Sequence, residues 1–384
     1  MKSLTALHIV ISRTPFVKFS RNMTGRMLAA IVMVFLFAGY ASAASIAGTM
    51  SFVQGTVFVM KETKRNIFVQ ASVGDKLAEG DIIKTTKGSK AQVTLGDGSV
   101  IHIAANSQMQ LKQYMVDRNR AERKIVVATT EGKLRFVVSK VVKAAATAES
   151  KWKTSEFTVE TPTAVAGIQG TDFVVTVSRG HTNVAVFEGY VKIGNASYLI
   201  KGSITLSANQ SSTVKKDETP SEVKTVTDAQ KNLMQLETTK QEQASATPTA
   251  AEAAEIQAAL QAVIDEIAKG GEGQKPEDII AAALAAGLNV NQTMQATIEQ
   301  GVDIAAVFAA AEKEGVDSED TIQSLIEQGQ PLDMVIKAAT EAGVSKEAII
   351  KAAEDAEISS DAINDSFEKT VIEVEPQVGS PSGP

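Results

Sequence analysis

The sequence predicts a multidomain protein of the β plus α class, in which an N-terminal all-β, jelly-roll-like domain precedes a C-terminal repeat of short helices. Three observations predict it. Up to about residue 214, short runs rich in Val, Ile, Thr and Phe alternate with Gly-containing turns, as in antiparallel sandwiches and jelly rolls. Further along, glycines recur every 14 residues. The charge of the chain also changes sign between the two parts.

The charge break marks two domains within 384 residues of formal net charge −7. Residues 44–217 hold 23 Lys and Arg against 14 Asp and Glu, whereas residues 218–384 hold 10 against 31. We therefore expect five segments. They are a signal peptide (1–43), a β domain (44–214), a linker with a possible short helix (215–254), an α-helical repeat domain (255–370) and a disordered tail (371–384).

The first 43 residues have the features of a secretory signal peptide. They carry five basic residues and no acid, followed by an apolar run of about 12 residues and then Ala41-Ser42-Ala43. This pattern predicts cleavage between Ala43 and Ala44 and a periplasmic or secreted bacterial protein without a stable membrane span. An uncleaved membrane anchor is the alternative, and either Met1 or Met23 is the start of translation.

The glycine repeat predicts short helices joined by tight turns. In most units an Asn, Asp or Ser follows the glycine by two places, so the glycine ends one helix and the polar residue caps the next. Units 28 residues apart are most alike, which predicts helical hairpins stacked as a small α-solenoid. We expect Gly301, Gly315 and Gly329 to have positive φ. The repeated positions are Gly273, Gly287, Gly301, Gly315, Gly329, Gly343 and Glu357.

The inventory of reactive side chains is small. The chain has no Cys and three His, which excludes disulfides and thiolate chemistry and leaves little for acid–base or metal sites. His102 alternates with apolar residues and is predicted to be structural, and His181 is predicted to lie in a turn. The segment Gly96–Ser99 fits a hairpin turn better than a calcium loop. We therefore expect no catalytic, cofactor-binding or metal-binding residues.

The densest basic stretch, residues 117–124, lies between two strand-like runs and is predicted to be a long hairpin loop. It is either a solvated loop or a contact surface for an anionic partner, namely a phosphorylated lipid, an acidic glycan or the acidic helices of the same chain. Nucleic acid is not expected for an exported acidic protein. The candidate contact residues are Arg118, Arg120, Arg123 and Lys124.

Several sequence motifs follow one another through the β part. Each motif alone is common, but their combination in this order is specific enough to indicate a protein family. They are Gly55-Thr-Val, Val73–Thr85, Ser89–Ser99, Phe157–Phe173 and Val184–Val191. In this order and spacing the chain resembles, over roughly residues 50–210, the FecR domain, the periplasmic domain of iron-dicitrate sensor regulators. The resemblance implies a jelly-roll-like fold and a binding or sensing role without catalysis. The motif residues with an expected structural role are Gly55, Gly80, Asp81, Asp97, Gly98, Thr161, Pro162, Gly170, Thr171, Phe173, Glu188 and Gly189.

The predicted function is that of a non-enzymatic, exported binding or scaffold protein of the bacterial cell envelope, whose partner is an unidentified envelope protein or glycan. Two alternatives remain open. The chain is a sensor component of a FecR-like signalling system, or it is a carbohydrate-active enzyme of the cell wall that uses carboxylate pairs such as Glu156 and Glu160.

Overall fold

The computed structural model describes residues 46–64, 66–117, 122–139, 154–168, 170–239, 249–270 and 274–374 of the 384-residue chain. Strands occupy these residues up to Thr225 and helices from Asp228, apart from one short 3₁₀ turn at Glu62–Lys64. The predicted order of a β region before a helical region is therefore confirmed. Below, the β module denotes residues 46–225 and the helical module residues 228–374.

The β module consists of two facing sheets. Its strands are β1 (Ile46–Gln54), β2 (Val57–Met60), β3 (Phe68–Gln70), β4 (Lys76–Ala78), β5 (Ile82–Thr85), β6 (Lys90–Leu95), β7 (Val100–Ile103), β8 (Gln108–Asp117), β9 (Glu122–Val137), β10 (Thr154–Glu160), β11 (Ala164–Ile168), β12 (Asp172–Ser178), β13 (His181–Glu188), β14 (Tyr190–Asn195), β15 (Ser203–Ser207), β16 (Gln210–Lys215) and β17 (Lys224–Thr225). The first sheet has the order β4-β1-β6-β7-β9-β12-β13-β16-β17. The second has the order β3-β2-β5-β8-β9-β10-β11-β14-β15.

Strand β9 belongs to both sheets. Its first part pairs with β8 and β10 in the second sheet, and its last part pairs with β7 and β12 in the first. The strand passes from one sheet to the other at Gly132, which has a φ of +93°. A side chain at position 132 would collide with Ser107, so both the backbone conformation and the space require glycine here.

The pairing differs in one respect from the predicted antiparallel sandwich, because β9 and β10 are parallel. The reason is the passage of β9 between the sheets. The chain leaves β9 in the first sheet and enters β10 in the second, alongside the opposite half of the same strand. All other strand pairings in the described residues are antiparallel.

One apolar core fills the space between the two sheets. Phe136 on β9 stacks on Phe173 with ring centroids 5.0 Å apart, and it meets the edge of Phe157 from the second sheet at 6.2 Å. All three rings are buried, and such aromatic contacts stabilise a core beyond their area alone. Phe173, a motif residue of the sequence analysis, therefore has a packing role.

The outer face of the first sheet is also buried along β12 and β13. Along β12 and β13, Phe173, Val175 and Val184 face the core, whereas Val174 and Ala185 belong to a separate buried cluster on the other side of the sheet. Both strands read as nearly continuous apolar runs instead of alternating ones, the pattern of strands covered on both faces. The helical module covers this outer face.

The helical module has a long first pair of helices and then a run of short ones. The helices are α1 (Asp228–Thr238), α2 (Ala250–Ala268), α3 (Pro276–Ala285), α4 (Val290–Glu299), α5 (Ile304–Lys313), α6 (Ser318–Glu327), α7 (Leu332–Glu341), α8 (Lys346–Asp355) and α9 (Ser360–Val374). From α3 onward each helix packs on the helix two places further along, so α3, α5, α7 and α9 form one row and α4, α6 and α8 the other.

The helix ends follow the predicted capping pattern. Gly301, Gly315 and Gly329 have φ values of 77°, 74° and 75°, which confirms their prediction as left-handed caps. After Gly315 the amide of Val316 donates to the carbonyl of Ala311, the bond that closes a Schellman motif. Gly287 and Gly343 have the same conformation, whereas Gly273 lies outside the described residues. The N-caps of the next helices are Asn289, Asp303, Asp317 and Ser345, whose side chains accept backbone N–H bonds.

Several element boundaries differ from the predicted segments. The predicted linker, 215–254, contains strand β17, helix α1 and the start of α2, and helix α9 continues past the predicted boundary at residue 370 to Val374. The predicted signal peptide and its cleavage site, Ala43 and Ala44, lie outside the described residues. None of the helices in the described part is both long and apolar enough to cross a membrane.

The repeat provides a pair of substitutions with opposite expected effects. Nothing lies within 4 Å of a Cβ placed on Gly329, so the free-energy cost of a side chain at this position arises from the positive φ alone. Glu357 occupies the same repeat position with a φ of 64°, which an L residue adopts at a cost. We expect Gly329→Val to destabilise the protein by roughly 1 kcal/mol and Glu357→Gly to stabilise it by a similar amount. Urea unfolding followed by helical circular dichroism measures both, and equal signs would contradict the cap assignment.

Candidate functional site

Helix α1 joins the two modules through apolar contacts on two sides. Met234 packs in one cluster with Val174, Ala185 and Phe187 of the first sheet. The neighbouring Leu233 belongs instead to a cluster formed by α2, α3 and the start of the repeat. Because burial of apolar side chains is the main favourable term in folding, α1 fixes the first helices firmly to the β module.

The turn between α3 and α4 lies directly on the first sheet. The carbonyl of Gly287 accepts a bond from Thr176 Oγ1 at 3.2 Å, and the carbonyl of Ala285 accepts one from Asn183 Nδ2 at 3.2 Å. A side chain at position 287 would collide with Met234. The positive φ of Gly287 therefore favours glycine at this position, and a side chain there would also require the end of Met234 to shift.

A buried ion pair connects β6 to the start of α2. Lys90 Nζ lies 2.8 Å from Glu252 Oε1, and both side chains are at most 8% exposed. Gln54 Nε2 donates to the other carboxylate oxygen at 3.0 Å, and Lys90 also donates to the carbonyl of Leu236. Burial raises the pKa of Glu252, but the hydrogen bonds from Lys90 and Gln54 outweigh it and hold the pKa below its usual value.

Two basic residues of β9 continue this contact. Lys133 forms a second ion pair with Glu237 at the end of α1. Arg135 holds Asp172 through two bonds of 2.8 and 2.7 Å and donates to Thr239 at 2.8 Å. Lys90, Lys133 and Arg135 all lie on the outer face of the first sheet, so a basic sheet face meets acidic helices.

Further along the repeat, the turn between β12 and β13 meets the turn between α5 and α6. Arg179 Nη1 lies 3.2 Å from Asp317, 2.9 Å from Glu319 and 3.6 Å from Asp320. Lys215 pairs with the carboxylate of Glu314 at 2.7 Å. We call this group of contacts the distal latch, and it also includes His181, described below.

Between the modules lies a half-open cleft of about 990 Å³, which is our candidate functional site. The β module contributes residues 86–88, 104–106, 130–133 and 177–179. The helical module contributes residues 289–291, Asp320, Gln323, Ser324, Glu327 and residues 355–357. The bend of β9 at Gly132 lies in its wall, so the feature that shapes the β module also shapes the cleft.

The cleft is lined by both polar and apolar atoms, and its carboxylates outnumber its cations. Lys87 lies 3.9 Å from Glu327 across the cleft. Glu131, Asp355 and Glu357 add further carboxylates to the lining. Burial raises the pKa of Asp320 to about 6, although the nearby Arg179 opposes this shift. No cluster of three His, Asp or Glu side chains in the described residues is arranged to hold a metal ion.

The two motif aspartates are buried structural residues away from the cleft. Asp81 accepts bonds from the backbone of Glu62 and Ala78 and pairs with Lys61 at 2.8 Å. Asp97 sits in the turn between β6 and β7, where it accepts bonds from the amide and hydroxyl of Ser99. The hairpin-turn interpretation of Gly96–Ser99 fits this geometry, in which Gly98 has a φ of +87°.

The prediction that Arg123 belongs to an exposed basic patch is wrong. Arg123 is 3% exposed and pairs with Asp97 at 2.7 Å, with further bonds to Ser139 and Ser155. Its place in β9, two residues before the buried Ile125, directs it into the interior. Lys124 is half-buried on the opposite face, and Arg118 and Arg120 lie outside the described residues.

The remaining motif residues serve turns and close contacts. Thr161, which precedes Pro162, accepts a hydrogen bond on its Oγ1 from the amide of Ala164. The hydroxyls of Thr161 and Thr182 also form a hydrogen bond of 2.7 Å. Thr171 donates to the carbonyl of Tyr190 at 2.9 Å. Glu188 ends β13 and is exposed. The motif glycines with positive φ are Gly55, Gly80, Gly98, Gly170 and Gly189.

Sequence reasoning missed the residues that join the modules. His181, predicted to lie in a turn, is the buried first residue of β13. His102 is largely buried beside Arg135, and burial lowers its pKa to about 4. The candidate carboxylate Glu160 pairs with Lys112 at 2.6 Å, and Glu156 is exposed on the same strand. One feature of the sequence indicates the residues that join the modules: the basic residues of β6 and β9 alternate with apolar residues that face the core.

The fold and the cleft define a two-module protein in which a β sandwich carries a helical repeat on its outer face. Residues 81–192 match the sequence model of the FecR protein family, so the chain contains a FecR domain, which includes β9. No curated protein is significantly similar to the chain.

The chain is also similar to two crystal structures, at 1.65 and 2.50 Å resolution, of an anti-sigma factor candidate from Parabacteroides distasonis ATCC 8503. Each is 23% identical, with a TM-score of 0.29, over 38% of this chain and 59% of that chain. The chain thus spans about three fifths of the length of these structures.

The Arg123–Asp97 pair provides a test of the motif's structural role. Asp97→Asn keeps an acceptor for Ser99 but leaves the buried guanidinium unpaired, and Arg123→Met leaves the carboxylate unpaired. Each should cost about 3–5 kcal/mol, because breaking a buried pair strands a charge. The double variant should lose clearly less than the sum of the two. Urea unfolding measures this, with Lys112→Met at the exposed pair as a control that costs under about 1 kcal/mol. Additive losses would contradict the pairing.

Proposed function

We propose that the chain is a non-enzymatic, exported binding protein of the bacterial cell envelope, built on its FecR domain, and that the cleft between the modules is its binding site. The cleft itself carries this proposal. It is large enough for a small molecule or a short peptide segment, and both modules line it. A binding site at the boundary between two modules is a common arrangement.

The charges of the cleft favour a polar ligand that carries positive charge. Within the lining, Lys90 and Lys133 are already neutralised by Glu252 and Glu237. Five further carboxylates lie in the lining against two further cations, Lys87 and Arg179. A cleft lined mainly by one sign of charge concentrates ligands of the opposite sign. Those five carboxylates are Glu131, Asp320, Glu327, Asp355 and Glu357.

A sensor role is the second candidate, and the distal latch supports it. A ligand in the cleft would contact both modules, so its binding would change the balance between closed and open arrangements of the latch. Within both proposals the β module is of the jelly-roll type and the helical rows are a short α-solenoid. The shared strand β9 and the stacking of alternate helices support these two assignments.

Export is tested at the N-terminus of the mature protein. We expect protein recovered from the periplasm or the medium to begin at Ala44, because Ala41-Ser42-Ala43 is a small-residue cleavage signal. N-terminal sequencing and intact mass measure this. Protein in the membrane fraction that starts at Met1 or Met23 would contradict export with cleavage.

Binding in the cleft is tested with a matched pair of substitutions. Thr130 lines the cleft and Thr205 lies on β15 outside its lining, and both are exposed strand residues. Thr130→Trp should fill the cleft, whereas Thr205→Trp should leave it open. The probes are soluble fragments of digested peptidoglycan, whose peptide stems carry amino groups, and the small-molecule fraction of a periplasmic extract.

A ligand that binds the folded protein raises its Tm by mass action. We expect one of the probes to raise the Tm of the wild type and of Thr205→Trp equally, and to have little effect on Thr130→Trp. Calorimetric scans measure the shift. An unchanged shift in Thr130→Trp would place the binding site elsewhere, and no shift of the wild type with either probe would contradict the proposal.

A further inference from the structure

In the described residues, the distal part of the helical module meets the β module through a set of hydrogen bonds and ion pairs. The apolar core of the repeat, which runs from Ile280 to Ile363, contains no residue of the β module among those described. The apolar joint at α1 lies at the other end of the contact, where Met234 packs on the first sheet. Among the described residues, the later helices therefore meet the sheet outside the apolar clusters, at hydrogen bonds and ion pairs whose partners water can replace.

At the distal latch, one cation of the β module faces three carboxylates. Asp317 and Glu319 lie closest to Arg179, and Asp320 is slightly further, at 3.6 Å. Lys351 Nζ of α8 forms a second ion pair with Glu319, at 2.6 Å. Hydrogen bonds from Lys351 and Arg179 lower the pKa of Glu319, so it stays ionised in mild acid.

Asp320 has the least favourable position of the three. Burial raises its pKa to about 6, and Asp317 and Glu131 of β9 add to this effect, while Arg179 opposes it. The side chain of Asp320 is 24% exposed and lines the cleft. At neutral pH the closed latch thus holds a carboxylate that would be better solvated if the modules parted.

His181 lies beside the same latch. Its Nε2 is 2.9 Å from the carbonyl of Glu314, so Nε2 carries a proton and donates it in the bond. Burial lowers the pKa of His181, and the charge of Lys215 adds to this. Bonds with the backbone of Glu314 and Arg179 and the charge of Glu314 oppose it. The closed latch therefore favours the neutral imidazole.

We propose that the distal latch is a pH-responsive contact between the FecR domain and the helical module, in which Asp320 and His181 respond to acid in opposite directions. The inference concerns the contact between the modules, and it holds whether or not a ligand binds in the cleft.

The two directions follow from linkage between protonation and closure. Asp320 takes up a proton below about pH 6 in the closed state but only near its ordinary pKa of 3.8 when solvated. Acid in this range therefore tightens the latch. His181 takes up a proton near 6.5 when solvated and only at lower pH in the closed state. Its contribution to closure is present above 6.5 and is lost as the pH falls. In the wild type the two effects partly cancel between pH 7 and 5.

Single substitutions separate the two effects. In Asp320→Asn only the His181 response remains, so the open fraction should rise from pH 7 to pH 5. In His181→Gln only the Asp320 response remains, so the ratio of open to closed molecules should fall by about tenfold over the same range, given its two pKa values. The double variant should respond little. Asp361→Asn, at an exposed acid of α9, is the matched control and should behave as the wild type.

The chain has no Cys, so two introduced cysteines can be labelled specifically in the full mature protein. Thr205→Cys and Glu347→Cys place one dye on each module at exposed positions, and single-molecule energy transfer gives the open and closed fractions. A His181→Gln protein that does not close in acid, or an Asp320→Asn protein that does not open, would overturn the proposal.

A second measurement applies if either variant folds poorly. The carboxyl carbon of Asp320 can be titrated by NMR in the wild-type protein. A midpoint near 6 supports the latch, whereas a midpoint near 4 would show that closure does not depend on its protonation and would overturn the proposal.

Discussion

The passage of β9 between the two sheets at Gly132 is the constraint on which the rest of the structure depends. Because one strand serves both sheets, the register of β7 and β12 in the first sheet is tied to that of β8 and β10 in the second. The same strand supplies Phe136 to the core and, on its other face, Lys133 and Arg135 to the helical module. A side chain at position 132 would collide with Ser107. Glycine at this position therefore allows one strand to serve both the core and the contact with the helical module.

The two ends of the contact between the modules differ in their physical nature. At α1 the contact combines apolar packing with buried ion pairs, and opening it would expose Met234 and Phe187 to water. At the distal latch the groups are charged or polar, and water can solvate them once they separate. The structure therefore combines a joint that resists opening with a latch that can open. This combination gives the cleft between them one fixed end and one adjustable end.

The sequence predicts the helical repeat better than it predicts the contacts between the modules. Gly315 and Asp317 act through local rules, since a left-handed cap and an N-cap need only their near neighbours. The pair Lys90–Glu252 joins residues 162 positions apart, and no local pattern marks it. The charge of Arg123 suggests an exposed side chain, but its alternation with Ile125 in the strand indicates an inward-facing one. The fold class was therefore predictable, whereas the cleft was not.

The described residues on both sides of the charge break near residue 217 belong to one compact unit. The outer face of the first sheet presents Val174, Ala185 and Phe187, which the helical module buries together with Met234. A β module without its helices would expose this apolar surface along with Lys90 and Lys133, whose partners lie on α1 and α2. The acidic helices are thus complementary to the sheet in both hydrophobicity and charge. The change in composition marks the change from strands to helices. The FecR domain of this chain depends on its own strands and on the helices to bury its surfaces.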